Sequence, residues 1–472
     1  MNVLALTDFG STFTKVTLVE EGSGKLLARS QTPTTVDTDV MDGYFVALEN
    51  AERKLLNPFN LVGELAASSA GGGLKMAAVG LVEGLTASAG RQAALNAGAK
   101  VGLVISGAIV EKDCIALKTF LPEILLFSGG TDGGQREKVL KNAEIISQIE
   151  CIRHVVVACN REIALEVANQ FKLAGRTVEV VDNVLPEIDC LVIEPARRMI
   201  HEMFISHVIE GKGLSKSKKF GSVVVMPTPE AVLDAVRLLA FGQDDRTQLG
   251  GIMVVDLGGA TTDVHSAVST IEQPVFITTT GLPDIPVMRT VQGDLGMHWG
   301  AEGVALIDES WLLEVLSRSN IDRSRLDDGV QHRQRHPDFL SESDQDQEID
   351  NALAISCMTH ALRRHCGSLK TIYRPGQGSE FVQDGIDMRE IKFLIGTGGI
   401  LVNGSNPKAL LASTLARRDA HSLTPQSPEV LIDEDYILVA AGLLATHDSY
   451  AAGQLLHKLR SRMGVVCNHD KS

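Results

Sequence analysis

The sequence predicts an α/β chain of two related lobes, one of them carrying an inserted α/β block, and three observations predict it. The first is the stretch Val254-Val255-Asp256-Leu257-Gly258-Gly259-Ala260-Thr261-Thr262-Asp263-Val264. An apolar run ends there in a carboxylate, glycines and threonines before apolar residues resume, which reads as a β-hairpin whose glycines permit positive φ. The second is a copy of that grammar at the start of the chain, with Asp8-Phe9-Gly10-Ser11-Thr12 between alternating strands and Lys15 added. The third is a run of strands and helices in alternation after residue 100, the pattern of a parallel sheet.

Each hairpin has a chemical reading. Amide N–H groups and hydroxyls of a tight glycine turn can converge on an anion, and a carboxylate at the strand end can face a phosphate-bound metal. Asp-x-Gly-Gly alone is also an ordinary hairpin turn. The repetition is what favours a phosphate role for both.

Taken in order, residues 25–32 read as a third strand and 42–56 as a helix ended by Asn57-Pro58. Residues 66–73 are a small-residue turn, read as a packing device, before a strand at 74–82 and an Ala-rich helix that Thr86 can cap. Strands at 101–105, 123–127, 155–158 and 177–181, with helices at 135–149 and 161–174, make the inserted block. Its loop Ser128-Gly129-Gly130-Thr131-Asp132-Gly133-Gly134 lies where α/β sheets bind ligands. It lacks the P-loop lysine and the dinucleotide spacing, so a ligand or partner surface and a plain tight turn both stay open. A helix over 189–211 and a Lys-rich stretch close the block. A strand at 222–226 then leads to Thr228-Pro229-Glu230, a hydroxyl cap, a first-turn proline and an acid at the positive end of the dipole.

The second lobe continues with the glycine-dense segment 292–303, which can border a cleft, and with the polar segment 320–350, expected to be an exposed insertion or lid. A helix at 351–365 carries Cys357, His360 and His365, with Cys366 behind it. At helical spacing these point in different directions, so a shared zinc ion is rejected. Phe393-Leu394-Ile395-Gly396-Thr397-Gly398-Gly399 is a buried strand ending in glycines against which a planar ring could lie. Residues 433–445 read as a further apolar helix.

Composition bounds the function. The 472 residues, 44% hydrophobic, suffice for two or three domains with real cores. A net charge of −15 without a basic run argues against nucleic acid or an anionic membrane as partner. No apolar stretch approaches the ~18 residues of a membrane helix, and the chain opens on a strand, so a cytoplasmic location is expected. Seven scattered cysteines without a Cys-x-x-Cys read as reduced thiols.

Five elements in order, the two hairpins, the Pro227-Thr228 strand-to-helix segment, the Gly-x-Gly-Gly strand and the late apolar helix, resemble the actin, sugar-kinase and heat-shock-chaperone ATPase superfamily. The resemblance implies a two-lobed actin-like ATPase with duplicated ribonuclease-H-like lobes. Lobe I would take residues 1–99 and 220–243, the inserted subdomain 100–219, lobe II 244–435, and 436–472 a second connecting helix returning to lobe I. It implies ATP and Mg²⁺ as cofactors, with Asp8 and Asp256 holding the metal and, with Lys15, carrying catalysis. Gly10, Ser11, Thr12, Gly258, Gly259, Thr261 and Thr262 would meet the phosphates, and Gly396, Gly398 and Gly399 the adenosine.

Nearer at hand, the Ser128–Gly134 loop, Asp182-Asn183-Val184-Leu185-Pro186-Glu187-Ile188, Glu194-Pro195-Ala196-Arg197 and Met226-Pro227-Thr228-Pro229 resemble the MutL-type accessory family encoded with coenzyme-B12-dependent glutamate mutase, unrelated to the mismatch-repair protein of similar name. That resemblance covers nearly the whole chain. It implies an ATP-binding accessory or reactivating chaperone whose partners are the subunits of an adenosylcobalamin-dependent mutase, exchanging damaged cobalamin for intact cofactor. Asp263-Val264-His265 starts like the cobalamin-ligand motif, but Val268 stands where its glycine belongs, so no direct cobalamin ligation is expected. Met226 replaces the acid that heat-shock ATPases carry before the connecting proline, which leaves the water-activating group unassigned and implies slow or partner-dependent hydrolysis. A small-molecule kinase and a non-hydrolysing scaffold on the same fold are the alternatives.

Overall fold

The computed structural model describes residues 1–70, 73–208, 213–242, 248–269, 278–280, 282, 285–336, 339–374 and 378–462. Its chain groups into a first unit of Met1–Val19, Leu27–Ala231 and Gly281–Asp284 and a second of Glu20–Leu26, Val232–Thr280 and Ile285–Ser472.

In the first unit, β1 (Asn2–Phe9), β2 (Phe13–Glu20) and β3 (Leu26–Pro33) follow one another as the apolar alternation predicts. Helix α1 (Val40–Glu52) starts where the Asp39 carboxylate accepts the Met41 N–H, and β4 (Asn60–Ser68) follows it. A second set then runs β5 (Leu74–Gly80), α2 (Ser88–Asn96), β6 (Ala99–Ser106), α3 (Glu111–Phe120), β7 (Ile124–Gly129), α4 (Glu137–Ser147), β8 (His154–Cys159), α5 (Ala164–Leu173), β9 (Thr177–Val180) and α6 (Glu194–Met203). The chain returns to the first sheet as β10 (Val224–Pro227), giving the order β10-β4-β1-β2-β3 with β4 parallel to both β1 and β10.

The second set forms its own sheet, β6-β5-β7-β8-β9, parallel throughout. Alternate residues of its strands serve two cores. Ile124, Leu126, Val156 and Ala158 join the core of the first sheet, whereas Leu125, Phe127, Val155 and Val157 pack under α4 and α5. Burial on both faces is why these strands read as continuous apolar runs. Phe127 and Phe171 meet edge to face at 5.6 Å, and truncating either should cost about 3–5 kcal/mol.

Two expectations change here. Residues 66–68 are the end of β4, not part of a turn; its Ala, Gly and polar residues carry little β-propensity, but small side chains suit a strand pressed between β1 and β10. The inserted sheet also begins at Leu74, well before residue 100, because β5 pairs with both β6 and β7. Helix α6 is shorter than the 189–211 expected, and residues 209–211 lie outside the described residues, as do Gly71 and Gly72 of the small-residue turn and 463–472.

The second unit opens with β11 (Ile252–Leu257), β12 (Thr262–Ala267), β13 (Thr278–Thr280) and β14 (Val287–Gln292), and after a helical stretch adds β15 (Ser368–Arg374), β16 (Gly378–Asp384), β17 (Phe393–Thr397) and β18 (Glu429–Ile432). Its main sheet runs β14-β12-β11-β17-β18, antiparallel at β11–β12 and β12–β14 and parallel at β11–β17 and β17–β18. Numbered by order of appearance, both main sheets read 3-2-1-4-5. The duplication seen in two hairpins extends to two whole sheets.

The polar segment 320–350 is helical: helix Arg323–Arg335 packs on the long helix Asp344–His365. Arg333 is fully buried there, with Nε donating to Asp350 at 2.7 Å and Nη2 to the Asp346 carbonyl at 2.8 Å. Charged composition hid it, since paired charges can be buried where lone ones cannot. The late apolar helix Ile437–Ala445 is followed by Ser449–Arg462, and both group with the second unit. The turn Glu20–Leu26 groups with them, and Gly24 there lies against the Ala451 carbonyl.

Candidate functional site

Asp8 is the penultimate residue of β1, and the chain turns after Phe9. Gly10 N–H donates to Phe13 O at 3.1 Å, and a Cβ on Gly10 would stand 2.6 Å from that oxygen, so only glycine closes this turn. Thr34 ties the turn's carbonyls back: its hydroxyl donates to Gly10 O at 2.9 Å and its N–H to Thr12 O at 2.8 Å. The N–H groups of Ser11 and Thr12 have no acceptor among the described residues.

Asp8 is 6% exposed and held on both oxygens, accepting from Lys15 Nζ at 3.0 Å and from the Thr228 hydroxyl at 2.7 Å. The topology causes this meeting. Asp8 lies opposite Ala67 of β4, and Ala67 lies opposite Met226 of β10, so three parallel strands bring their carboxyl ends together. Thr228 opens the helix Thr228–Phe241 there. Sequence spacing pointed to Thr228 as a helix cap; its bond to Asp8, 220 residues away, was not legible.

The second hairpin repeats the turn, with Gly258 N–H donating to Thr261 O at 2.9 Å. Here the segment after β14 ties the carbonyls: Met297 N–H bonds Gly258 O at 3.1 Å, and His298 and Trp299 N–H bond Gly259 O at 2.7 and 3.0 Å. The glycine-dense run 292–303 is therefore the strap of this hairpin. Gly296 sits 2.5 Å (ideal Cβ) from the Ala260 carbonyl carbon, which explains its glycine. The N–H groups of Gly259 and Ala260 again have no acceptor among the described residues. Asp256, half-buried, ends β11 opposite Asp263 and Thr397.

Three expected contacts are corrected. Thr262 is fully buried and donates to Leu295 O at 2.7 Å, so its hydroxyl points into the strap, while Thr261 stays partly exposed. Gly396 lies inside β17, where a Cβ would meet Leu401, Leu411 and Ile432 at 2.9 to 3.1 Å; it is a packing glycine. Gly398, at φ 102°, presses its α-carbon on β11, with Leu257 O 2.2 Å from an ideal Cβ. Only Gly399 of the three faces open space. Close packing and ring approach both select glycine, so sequence could not separate them.

The loop 128–134 is knit into its neighbours. Asn183 donates to Gly130 O and to Asp132 Oδ1, both at 3.0 Å, and Asp132 N–H donates to Pro186 O at 2.9 Å. At the switch between β5 and β7, Ser128 donates to Val79 O and Thr86 O, and the Thr86 hydroxyl accepts from Leu81 and Val82 N–H. Sequence also missed a half-buried cluster, in which the buried Glu230 of the helix at Thr228 binds Arg197 and, at 2.8 Å, His201 of α6. His265 is fully buried in β12 opposite Arg289.

The sequence profile of the MutL protein family matches residues 4–459. Protein MutL of Clostridium tetanomorphum is 39% identical over 450 residues, covering 94% of this chain and 96% of that one. Among solved structures, a nucleotide-free acetone carboxylase is 15% identical over 94% of this chain and 70% of its own, with a TM-score of 0.37. A glycerol dehydratase reactivase is 11% identical over 94% and 99%, with a TM-score of 0.30. Xylulose kinase from Bifidobacterium adolescentis is 12% identical over 97% and 93%, also at 0.30. At these scores the fold assignment rests on the chain's own two sheets.

Proposed function

The chain belongs to the MutL protein family, and from that premise we propose that it is an ATP-binding, slowly hydrolysing accessory protein that reactivates an adenosylcobalamin-dependent mutase of the glutamate mutase type. One observation carries the nucleotide half of this reading. In both hairpins a neighbouring segment takes the turn's carbonyls and leaves two adjacent N–H groups without an acceptor among the described residues, which is the arrangement of an anion nest.

The residues fit Mg-ATP in part. Asp8 already accepts from Lys15 and Thr228, so it suits a hydrated Mg²⁺ met through water better than direct ligation. Asp256 is the corresponding carboxylate of the second hairpin. Bound Mg²⁺ would neutralise charge developing on the phosphates. In the first hairpin Lys15 and the N–H groups of Ser11 and Thr12 would hold phosphate oxygens; in the second the N–H groups of Gly259 and Ala260 would do so, with Thr261 beside them and Gly399 as the open surface for adenine. No acidic residue stands at Met226, which is buried, so turnover is expected to be slow without a partner.

The partner half follows from the family resemblance and from thermodynamics. A nucleotide can drive a partner only if the ATP and ADP forms bind that partner with different affinity. The inserted α/β block, whose helix α6 is bonded through Arg197 and His201 to Glu230 on the helix that carries Thr228, is assigned the partner surface.

The test mixes the protein with a purified adenosylcobalamin mutase inactivated by turnover, then adds fresh cofactor with Mg-ATP or a nonhydrolysable analogue. Recovery with ATP, weak recovery with the analogue and a loss of about 10²–10³ in turnover for Asp256→Asn are expected. A mutase that stays inactive while a small metabolite is phosphorylated would replace this reading with a kinase.

A further inference from the structure

At the amino ends of β5, β6 and β7 lies an open hollow of about 870 Å³, lined chiefly by Lys75, Lys100, Lys112, Ile115, Phe120 and Leu121. It sits at the opposite end of the sheet from the knit loop 128–134. Its one carboxylate is occupied, since Glu123 accepts the Lys75 N–H at 2.7 Å. Lys75 Nζ stands 4.5 Å from the centroid of the Phe120 ring, while Lys100 and Lys112 are exposed and form no ion pair among the described residues. Three cations thus surround an apolar floor on a chain of net charge −15.

The apolar rim is exposed. Ile115 and Leu121 are 57% and 56% accessible, and Leu121 holds a left-handed backbone at φ 53°, uncommon for a residue with a side chain. Val104 on β6 and Val110 before α3 are exposed as well. Strand β6 is the sheet's edge, kinked where its register with β5 slips and Phe120 covers Gly102. A small ligand is held by an enclosed pocket, whereas an open hollow with an apolar rim beside a free strand edge suits an extended segment of another protein.

We infer that this hollow docks an acidic segment, carboxylates interleaved with apolar residues, of the cobalamin-dependent mutase, an inference that rests on the function proposed above. The carboxylates meet Lys75, Lys100 and Lys112, the apolar residues meet Ile115, Phe120 and Leu121, and the complementary charge makes association sensitive to salt.

Binding of purified mutase to the full-length protein, measured by titration calorimetry at low and high salt, tests this. The triple variant Lys100→Glu, Lys112→Glu, Ile115→Gln changes only exposed side chains and should keep its thermal midpoint and its partner-free ATP turnover. Its affinity should fall by about tenfold or more at low salt and lose most of its salt dependence. Lys100→Arg with Lys112→Arg should bind as wild type. A photocrosslinker at position 115 should capture an acidic mutase peptide. Wild-type binding that the triple variant retains would overturn this surface while the accessory role stands. A wild type that binds no such mutase would overturn both, and crosslinks to a second copy of this chain would make the hollow a self-association face.

Discussion

The two hairpins are the same turn set in different surroundings. Both close a glycine N–H on the carbonyl three residues later and both have their carbonyls tied from outside. The first is tied by a single residue, Thr34, and keeps a partly exposed cation, Lys15, beside its Asp8. The second is tied by a strap of backbone and pressed by Gly398. Where the first has Lys15 it has Asp263, buried and paired with Arg289 at 2.7 Å. Duplication therefore preserved the turn and reassigned the position beside it: a cation facing the site in one copy, a structural ion pair in the other.

The sharpest way to break this contrast is at the glycines packed on the second hairpin. Gly398→Val places a β-carbon against the Leu257 carbonyl at positive φ, and more than about 4 kcal/mol of destabilisation is expected, read as loss of folded protein by circular dichroism. Gly399→Val meets open space, so the fold should survive. What it should lose is the thermal stabilisation by Mg-ATP, worth about 2.7 kcal/mol at a hundred times the dissociation constant. An unchanged ligand shift in Gly399→Val would remove adenine from this surface.

The next contrast exchanges stability for activity. Arg289→Ala strands Asp263 in the interior and should cost about 3–5 kcal/mol in denaturant unfolding. Lys15→Ala removes a partly solvated pair, so stability should change by less than about 1 kcal/mol while ATP turnover falls by about 10²–10³. Equal stability losses in the two variants would show the positions to be equivalent after all.

The smallest effect separates the surroundings by pH. Behind the second hairpin His365, bonded to Thr290 and Ser266, is pushed down to about 3 by burial. His265 beside it is held far below the ordinary value, first by burial and then by Arg289 and His365. A histidine neutral when folded takes up a proton only on unfolding. Its contribution is therefore complete above about pH 6.5 and lost as pH falls from there toward 3, by about 1.4 kcal/mol per pH unit. Thermal midpoints between pH 7.5 and 5 should fall steeply for wild type and less steeply for His365→Asn; identical slopes would refute the assignment.

The sequence by itself determined the hairpins, the inserted parallel sheet and their order along the chain, because period-2 apolar runs broken by Asp-x-Gly turns depend only on local backbone physics. It also carried Asp8, Lys15 and Asp256 to their strand ends. Only the tertiary structure decided which glycines are open and which are filled: Gly396 and Gly398 meet Ile432 and Leu257 from strands far apart in sequence, and a Cβ on Gly399 meets nothing. It alone turned Thr262 inward, brought Thr228 onto Asp8, drew β4 and β5 into different sheets and buried Arg333 in a segment that reads as solvent. The physical reason is common to all of them. A residue's local propensity is set by its neighbours in the chain, but whether its Cβ, hydroxyl or charge meets protein or solvent is set by strands and helices that the chain brings back later.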